Sequence, residues 1–225
     1  MSAGFDPGTG LGPRLRLARE ERRLSVRELA RRIGCSASLI SQIERGVSVP
    51  SVGVLYSLAA ELDSSLDHLL FGAEPRRPTA GPAEAVAPAV TATGHGEQAA
   101  RGPEPAPSGP SIVQRGDCRS IIDLASGVRW ERLTPGADAM TDFLEVIYAP
   151  GGHSTDERRP LRHDGREYGL VVSGRLQANV GFESYELGPG DSIAFDSSTP
   201  HEYLNKTGEP VHAIWVVVHS EPGRA

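Results

Sequence analysis

The sequence predicts an α + β two-domain chain: an all-α head of five helices, a long tether, then an all-β domain. Three observations carry that expectation. Residues 11–72 repeat apolar side chains at helical spacing, punctuated by Ser and Gly where helices would begin and end. Residues 73–110 then hold ten Ala, eight Pro and five Gly among 38, with no aromatic, Leu, Ile or Met. Such a stretch buries too little apolar surface to offset its ordering entropy, so it reads as a linker, spanning roughly 35 Å as a coil. From residue 111 to about 220, short runs of Val, Ile, Phe and Tyr alternate with Gly, Pro and Asp, the texture of strands and turns.

Bulk properties narrow the function. The net charge of −6 over 225 residues argues, taken whole, against a nucleic-acid binder. The charge is unevenly spread, however. Residues 1–77 carry eleven Arg against nine acids, and residues 78–225 carry twelve basic against twenty acidic, so a modestly basic head sits on an acidic partner. Cys35 and Cys118 lack metal spacing and read as reduced thiols. Residues 1–10 read as a flexible Gly/Pro arm without a basic-then-apolar leader, and the longest apolar run, Ala213 to Val218, is too short to span a bilayer. The expectation is a soluble, cytoplasmic protein with no membrane partner.

Within the head, the first helix covers about residues 12–23, buries Leu15 with Ala18 or Leu11, and spreads Arg14, Arg16, Arg19, Arg22 and Arg23 over its other faces. Ser25 and Glu28 form a capping-box pattern at the start of the second, with Glu28 reaching back, and Gly34 ends it. Ser36 caps a third, whose Ile40 and Ile43 face inward while Ala37, Ser38, Ser41 and Gln42 face out. A fourth starts at Pro50-Ser51 and buries Val54, Leu55, Leu58, Ala59 and Leu62; a short fifth follows Ser65. The second and third, joined by a turn of two or three residues, make a helix-turn-helix unit.

The stretch Gly34-Cys35-Ser36-Ala37-Ser38-Leu39-Ile40-Ser41-Gln42-Ile43-Glu44-Arg45-Gly46, with Pro50-Ser51 beyond it, closely resembles the lambda-repressor-like (XRE) class of DNA-binding domains over residues 11–72. That resemblance implies that the third helix lies in the major groove of double-stranded DNA. By position, Ser36, Ala37, Ser38, Ser41 and Gln42 would face base edges, Gln42 being suited to a bidentate contact with adenine. Arg27 would sit at a phosphate or outer base, and Glu44 and Arg45 would cap or pair at the helix end.

In the β domain, three pieces carry chemistry: His163-Asp164-Gly165-Arg166-Glu167 through Gly174, Gly188-Pro189-Gly190-Asp191, and His201-Glu202-Tyr203-Leu204-Asn205. Strand alternation points Glu167, Gly169 and Val171 together, and likewise His201, Tyr203 and Asn205, so His163, Glu167 and His201 converge on one cavity. These pieces resemble the two motifs of the cupin superfamily, a double-stranded β-helix or jelly-roll barrel, with Leu161 in place of the first motif's leading His and Asp196 and Ser198 in place of a Pro and a Gly. The resemblance implies that His163, Glu167 and His201 hold a divalent metal (Fe, Zn, Mn or Ni), or else, without one, hydrogen-bond a carboxylate or hydroxyl ligand or only each other. With Tyr203 they make the expected effector pocket. Arg129, Trp130, Tyr148, Arg166, Arg175 and Trp215 read as rim or core, and His153 with the basic run 158–162 as a loop at the barrel mouth.

The resulting expectation is a homodimeric transcriptional regulator that binds a small-molecule effector in its cupin domain and has no catalytic residues. The alternative is a cupin metalloenzyme resembling hydroxypropylphosphonate epoxidase, with iron on the same three side chains.

Overall fold

The computed structural model describes residues 10–72, 112–138, 140–155 and 160–219. Most of the N-terminal arm, the tether at 73–110 and Arg158-Arg159 lie outside the described residues.

Five helices build the head: α1 (Leu11–Glu21), α2 (Val26–Ile33), α3 (Ala37–Glu44), α4 (Val52–Leu62) and α5 (Leu66–Phe71). Four start on a serine whose hydroxyl accepts an early backbone N–H: Ser25 from Glu28, Ser36 from Leu39, Ser51 from Val54 and Ser65 from His68. Each such cap is worth about 1 kcal/mol. Gly34 closes α2 in the left-handed region at φ 72°, which lets α3 leave at once. Leu15, Leu29, Ile40, Leu55, Leu58 and Leu69 form a core with no exposure. Gly12 lets α1 approach α3 closely, since a Cβ there would lie 2.6 Å from the Glu44 carbonyl.

Several sequence expectations about the charged residues are corrected. Glu28 does not reach back to the Ser25 backbone; its carboxylate binds Arg31 and Arg32 instead, where two cations outbid one N–H. The arginines of α1 do spread over its other faces, Arg16, Arg22 and Arg23 being exposed, but three of the five are claimed by partners elsewhere in the head. Arg19 is buried and forks onto Glu44 of α3 at 2.5 and 3.0 Å. Arg14 donates to the Leu69 and Leu70 carbonyls at the end of α5, and Arg22 to the Leu62 carbonyl and Asp63 at the end of α4. Free helix-end carbonyls are the acceptors a guanidinium suits. Val54 is only partly buried, whereas Val52 and Tyr56 of α4 are buried.

The β domain contains β1 (Ile121–Leu124), β2 (Val128–Arg132), β3 (Thr141–Tyr148), β4 (Arg166–Ser173), β5 (Leu176–Val180), β6 (Glu183–Leu187), β7 (Ser192–Asp196), β8 (His201–Leu204) and β9 (Val211–Val218). They form a six-stranded sheet, β1-β2-β3-β9-β4-β7, facing a three-stranded one, β6-β5-β8, with all pairings antiparallel. Alternation in β3, β4 and β9 turns Leu144, Val146, Tyr148, Glu167, Val171, Trp215 and Val217 into the space between the sheets. Among the described residues no helix is long and apolar enough to cross a membrane.

The head rests on the barrel through α4 and its flanks. Ala125 N–H donates to the Pro50 carbonyl at 3.1 Å, Gly53 faces Leu161, and the Arg132 guanidinium lies 4.7 Å over the Phe71 ring.

Candidate functional site

Glu167 and His201 sit side by side across the barrel interior, 2% and 1% exposed, on β4 and β8. His163 joins them from the turn before β4, where its backbone N–H donates to the Ser197 carbonyl. Its Nε2 lies 2.7 Å from Glu167 Oε1, and that of His201 lies 3.0 Å away. The three side chains converge as the strand pattern required, with ligand atoms within 4.8 Å of one another. Asn205 does not join them. It follows β8, and its amide donates to the Tyr148, Ala149 and Glu209 carbonyls while its oxygen accepts from Thr207, so it ties the β8–β9 turn.

The carboxylate is oriented by two donors. Tyr203 Oη and Trp215 Nε1 each donate to Oε2 at 2.7 Å, which turns Oε1 toward the imidazoles. Gly169 on β4 makes this arrangement fit, because a Cβ there would meet the Trp215 ring at 2.6 Å. Burial alone would push the Glu167 carboxyl up; its contacts with His163 and His201 outweigh burial and hold it well below the usual carboxylate range. Burial, then the Glu167 charge, pushes the Tyr203 phenol up, so it remains a donor.

Imidazole tautomers decide what else the trio can hold. Nδ1 of His201 lies 2.8 Å from the Thr199 carbonyl and that of His163 lies 3.2 Å from the Asp164 carbonyl. A carbonyl only accepts, so both Nδ1 atoms carry the proton and a neutral ring presents an Nε2 lone pair. Both Nε2 atoms are buried without a hydrogen bond of acceptable geometry, despite their closeness to Oε1. Between each Nε2 and the carboxylate oxygen there must stand either a proton on the ring or a cation. Two imidazoles and a carboxylate, with backbone carbonyls fixing the ring tautomers, fit a divalent metal, and His163, Glu167 and His201 would hold it.

Above the trio lies a cavity of about 20 Å³, room for one water. Trp130, Leu144, Val146, Tyr148, Tyr203 and Trp215 line its walls. Of the residues read as rim or core, Trp130, Tyr148 and Trp215 therefore reach the cavity, while Arg129 and Arg175 pair outward with Asp123 and Glu186. Leu161, where the cupin pattern has its first His, lines the cavity as an apolar wall. Two further lining residues, Val52 and Tyr56, come from α4 of the head. Tyr56 stacks on His163 with ring centroids 3.9 Å apart and planes 5° apart. Sequence reasoning missed this contact, although a signal existed. Leu55, Leu58 and Leu62 already fill the head's core, and Val52 and Tyr56 lie about a quarter-turn round the helix. A helix apolar on two faces needs two partners.

On the head, α3 carries the residues expected to face DNA. Ser36 and Ser38 are exposed, and Ala37, Ser41 and Gln42 are partly so. Among the described residues the Gln42 amide makes no hydrogen bond, and Arg27, exposed near the start of α2, makes no ion pair. Glu44 pairs with Arg19, and Arg45 donates to the Ser41 carbonyl, as expected of structural residues.

A helix-turn-helix family model matches residues 15–69, and a cupin domain model matches residues 144–217. The HTH-type transcriptional regulator PuuR of Escherichia coli K12 is 27% identical over 202 residues, which cover 89% of this chain and 90% of that one. The chain is an XRE-class helix-turn-helix transcriptional regulator with a cupin domain. The solved structure of an HTH_3 family transcriptional regulator from Vibrio cholerae shares the fold, with a TM-score of 0.60 at 22% identity over 94% of this chain and 96% of that one. The hydroxypropylphosphonic acid epoxidase of S. wedmorenis matches at 18% identity and a TM-score of 0.41, covering 93% of this chain and 97% of that one, too distant to bear on activity. The named relative aligned through both domains is a regulator, so the non-enzyme reading stands over the metalloenzyme alternative.

Proposed function

We propose that this regulator works in the cytoplasm as a homodimer, that α3 reads operator DNA, and that the barrel binds a small-molecule effector. The effector site is His163, Glu167, His201 and Tyr203, with a divalent metal on the first three. The observation that carries the DNA reading is the uncommitted outer face of α3. Ser36, Ala37, Ser38, Ser41 and Gln42 are short or polar, and the Gln42 amide has no internal partner among the described residues. Arg27, next to that face and unpaired, supplies a phosphate contact.

The dimer reading rests on the outer face of the larger sheet. Phe143, Val216, Tyr168 and Ala194 lie in register across β3, β9, β4 and β7, and Phe143, Tyr168, Leu170, Val172 and Val218 are exposed there. Its occupant is a second copy, because two symmetry-related readers engage half-sites about 34 Å apart.

Binding-site selection with the full chain tests this reading. Wild type should enrich a paired site. Gln42→Ala should cost about 1–3 kcal/mol and relax preference at one base position in each half. Arg27→Ala should weaken all sequences alike and flatten the salt dependence. No enriched sequence, or an unchanged preference in Gln42→Ala, would overturn the reading role of α3. An enriched single half-site would overturn the dimer.

A further inference from the structure

The site in the barrel is closed by the DNA-binding head. Tyr56 belongs to α4, yet its ring packs on His163 and Trp130 of the other domain. Its ring stacks flat on His163 and stands edge-on to Trp130 at 6.1 Å, and with Val52 it completes the cavity wall. The remaining space, about 20 Å³, takes a water or a metal ion but no organic molecule. Anything larger must occupy the volume that Tyr56 now fills.

We propose that α4 is a removable lid on the effector site, with Tyr56 as its stopper, so that effector binding and docking of the head exclude each other. This rests on the reading of the barrel cavity as the effector site. With Tyr56 withdrawn, the slot is walled by Trp130, Leu144, Leu161 and Trp215, with Glu167 in its lining and His163 bared where the Tyr56 ring had stacked on it. That shape selects a small ligand with a planar or compact apolar body and a polar end for the metal or its ligands.

Around the stopper, head and barrel meet through the backbone hydrogen bond from Ala125 to Pro50, the approach of Gly53 to Leu161 and the stacking of Arg132 on Phe71. Helix α4 keeps its own core contacts through Leu55, Leu58 and Leu62 whether docked or not. Undocking therefore leaves the reader folded but frees it to the length of the 73–110 tether. Docked heads hold their α3 helices at a fixed separation, and freed heads do not, so effector lowers operator affinity by releasing that constraint.

Two variants of the full chain test the lid. Tyr56→Ala removes the stopper. Gly53→Gln wedges the interface at a position where a Cβ would already lie 3.2 Å from Leu161 Cδ2, and it raises helix propensity, so unfolding of the head cannot explain its effect. Small-angle X-ray scattering should show the radius of gyration rising by roughly a quarter or more in both variants, as the head moves out on a tether of roughly 35 Å. Far-ultraviolet circular dichroism should keep its helical signal. In stopped flow, Co²⁺ should quench Trp130 and Trp215 through the site. Wild-type rates should saturate with Co²⁺ because lid opening limits entry, and both variants should react at least tenfold faster. Unchanged scattering in both variants would overturn the lid whatever the metal does. Equal Co²⁺ rates in all three proteins would overturn it as well. Extended variants with no Co²⁺ quenching anywhere would sustain the lid and instead remove the metal from the proposed site.

Discussion

Gly169→Ala should loosen the barrel out of proportion to one added methyl. The new Cβ would lie 2.6, 2.7 and 2.8 Å from three carbons of the Trp215 ring, where ordinary carbon contacts are about 3.5–4.0 Å. The indole must therefore give by about 1 Å. Overpacking of this kind costs about 1–3 kcal/mol. The same shift carries Nε1 from 2.7 Å to beyond hydrogen-bond range of Glu167 Oε2, and a bond to a charged acceptor is worth about 1.5–3 kcal/mol. A combined loss of about 3–5 kcal/mol follows, since the two terms share one displacement and do not simply add. The assay is convenient because the chain has two tryptophans, Trp130 and Trp215, and both line the cavity. Both belong to the barrel, so their fluorescence follows its urea unfolding. The midpoint should fall by at least about 1 M. Gly208→Ala is the control: a Cβ there meets nothing within 4 Å and its φ is not positive, so it should be neutral or stabilise by up to about 1 kcal/mol. Equal midpoints for the two variants would refute the claim that Gly169 is kept small for Trp215.

Two further outcomes follow from buried pairs. Arg19→Met leaves the Glu44 side chain, only 8% exposed, without its partner, and should cost the head about 3–5 kcal/mol, read from the 222 nm urea transition. Arg19→Met/Glu44→Leu should recover to near wild type, and a double variant as unstable as the single would show that packing rather than charge dominates there. His219 is partly buried, which lowers its pKa, but the hydrogen bond and charge of Asp142 at 2.8 Å prevail and leave it raised. Its contribution to stability is thus complete below the unfolded value near 6.5 and is lost as pH rises through the higher folded value. His219→Gln should flatten the decline in melting temperature between about pH 6 and 9, and an unchanged slope would remove Asp142–His219 from the account.

Much of this molecule follows from local pattern. Serine caps, Gly34 and the 3.6-residue apolar spacing fix α2, α3 and the turn between them without help from distant residues, because caps and periodicity are satisfied within a few residues. Strand alternation likewise brings Glu167 and His201 to one interior, because the period of two leaves an inward residue no other side. Side chains long enough to choose among partners were not legible this way. Arg14, Arg19 and Arg22 look identical to surface arginines in sequence, and only packing shows that carbonyl ends and a buried carboxylate claim them. Tertiary structure alone decided two features of the proposed effector site. Oε1 of Glu167 faces two imidazole Nε2 atoms because Tyr203 and Trp215, 36 and 48 residues away, hold the other oxygen. Tyr56 closes that site because α4 docks across a tether whose sequence encodes reach but no direction. Short-range rules set which residues can make a helix, a strand or a cap, while the choice of partner across the fold belongs to the packed whole, where desolvation makes one pairing far better than the rest.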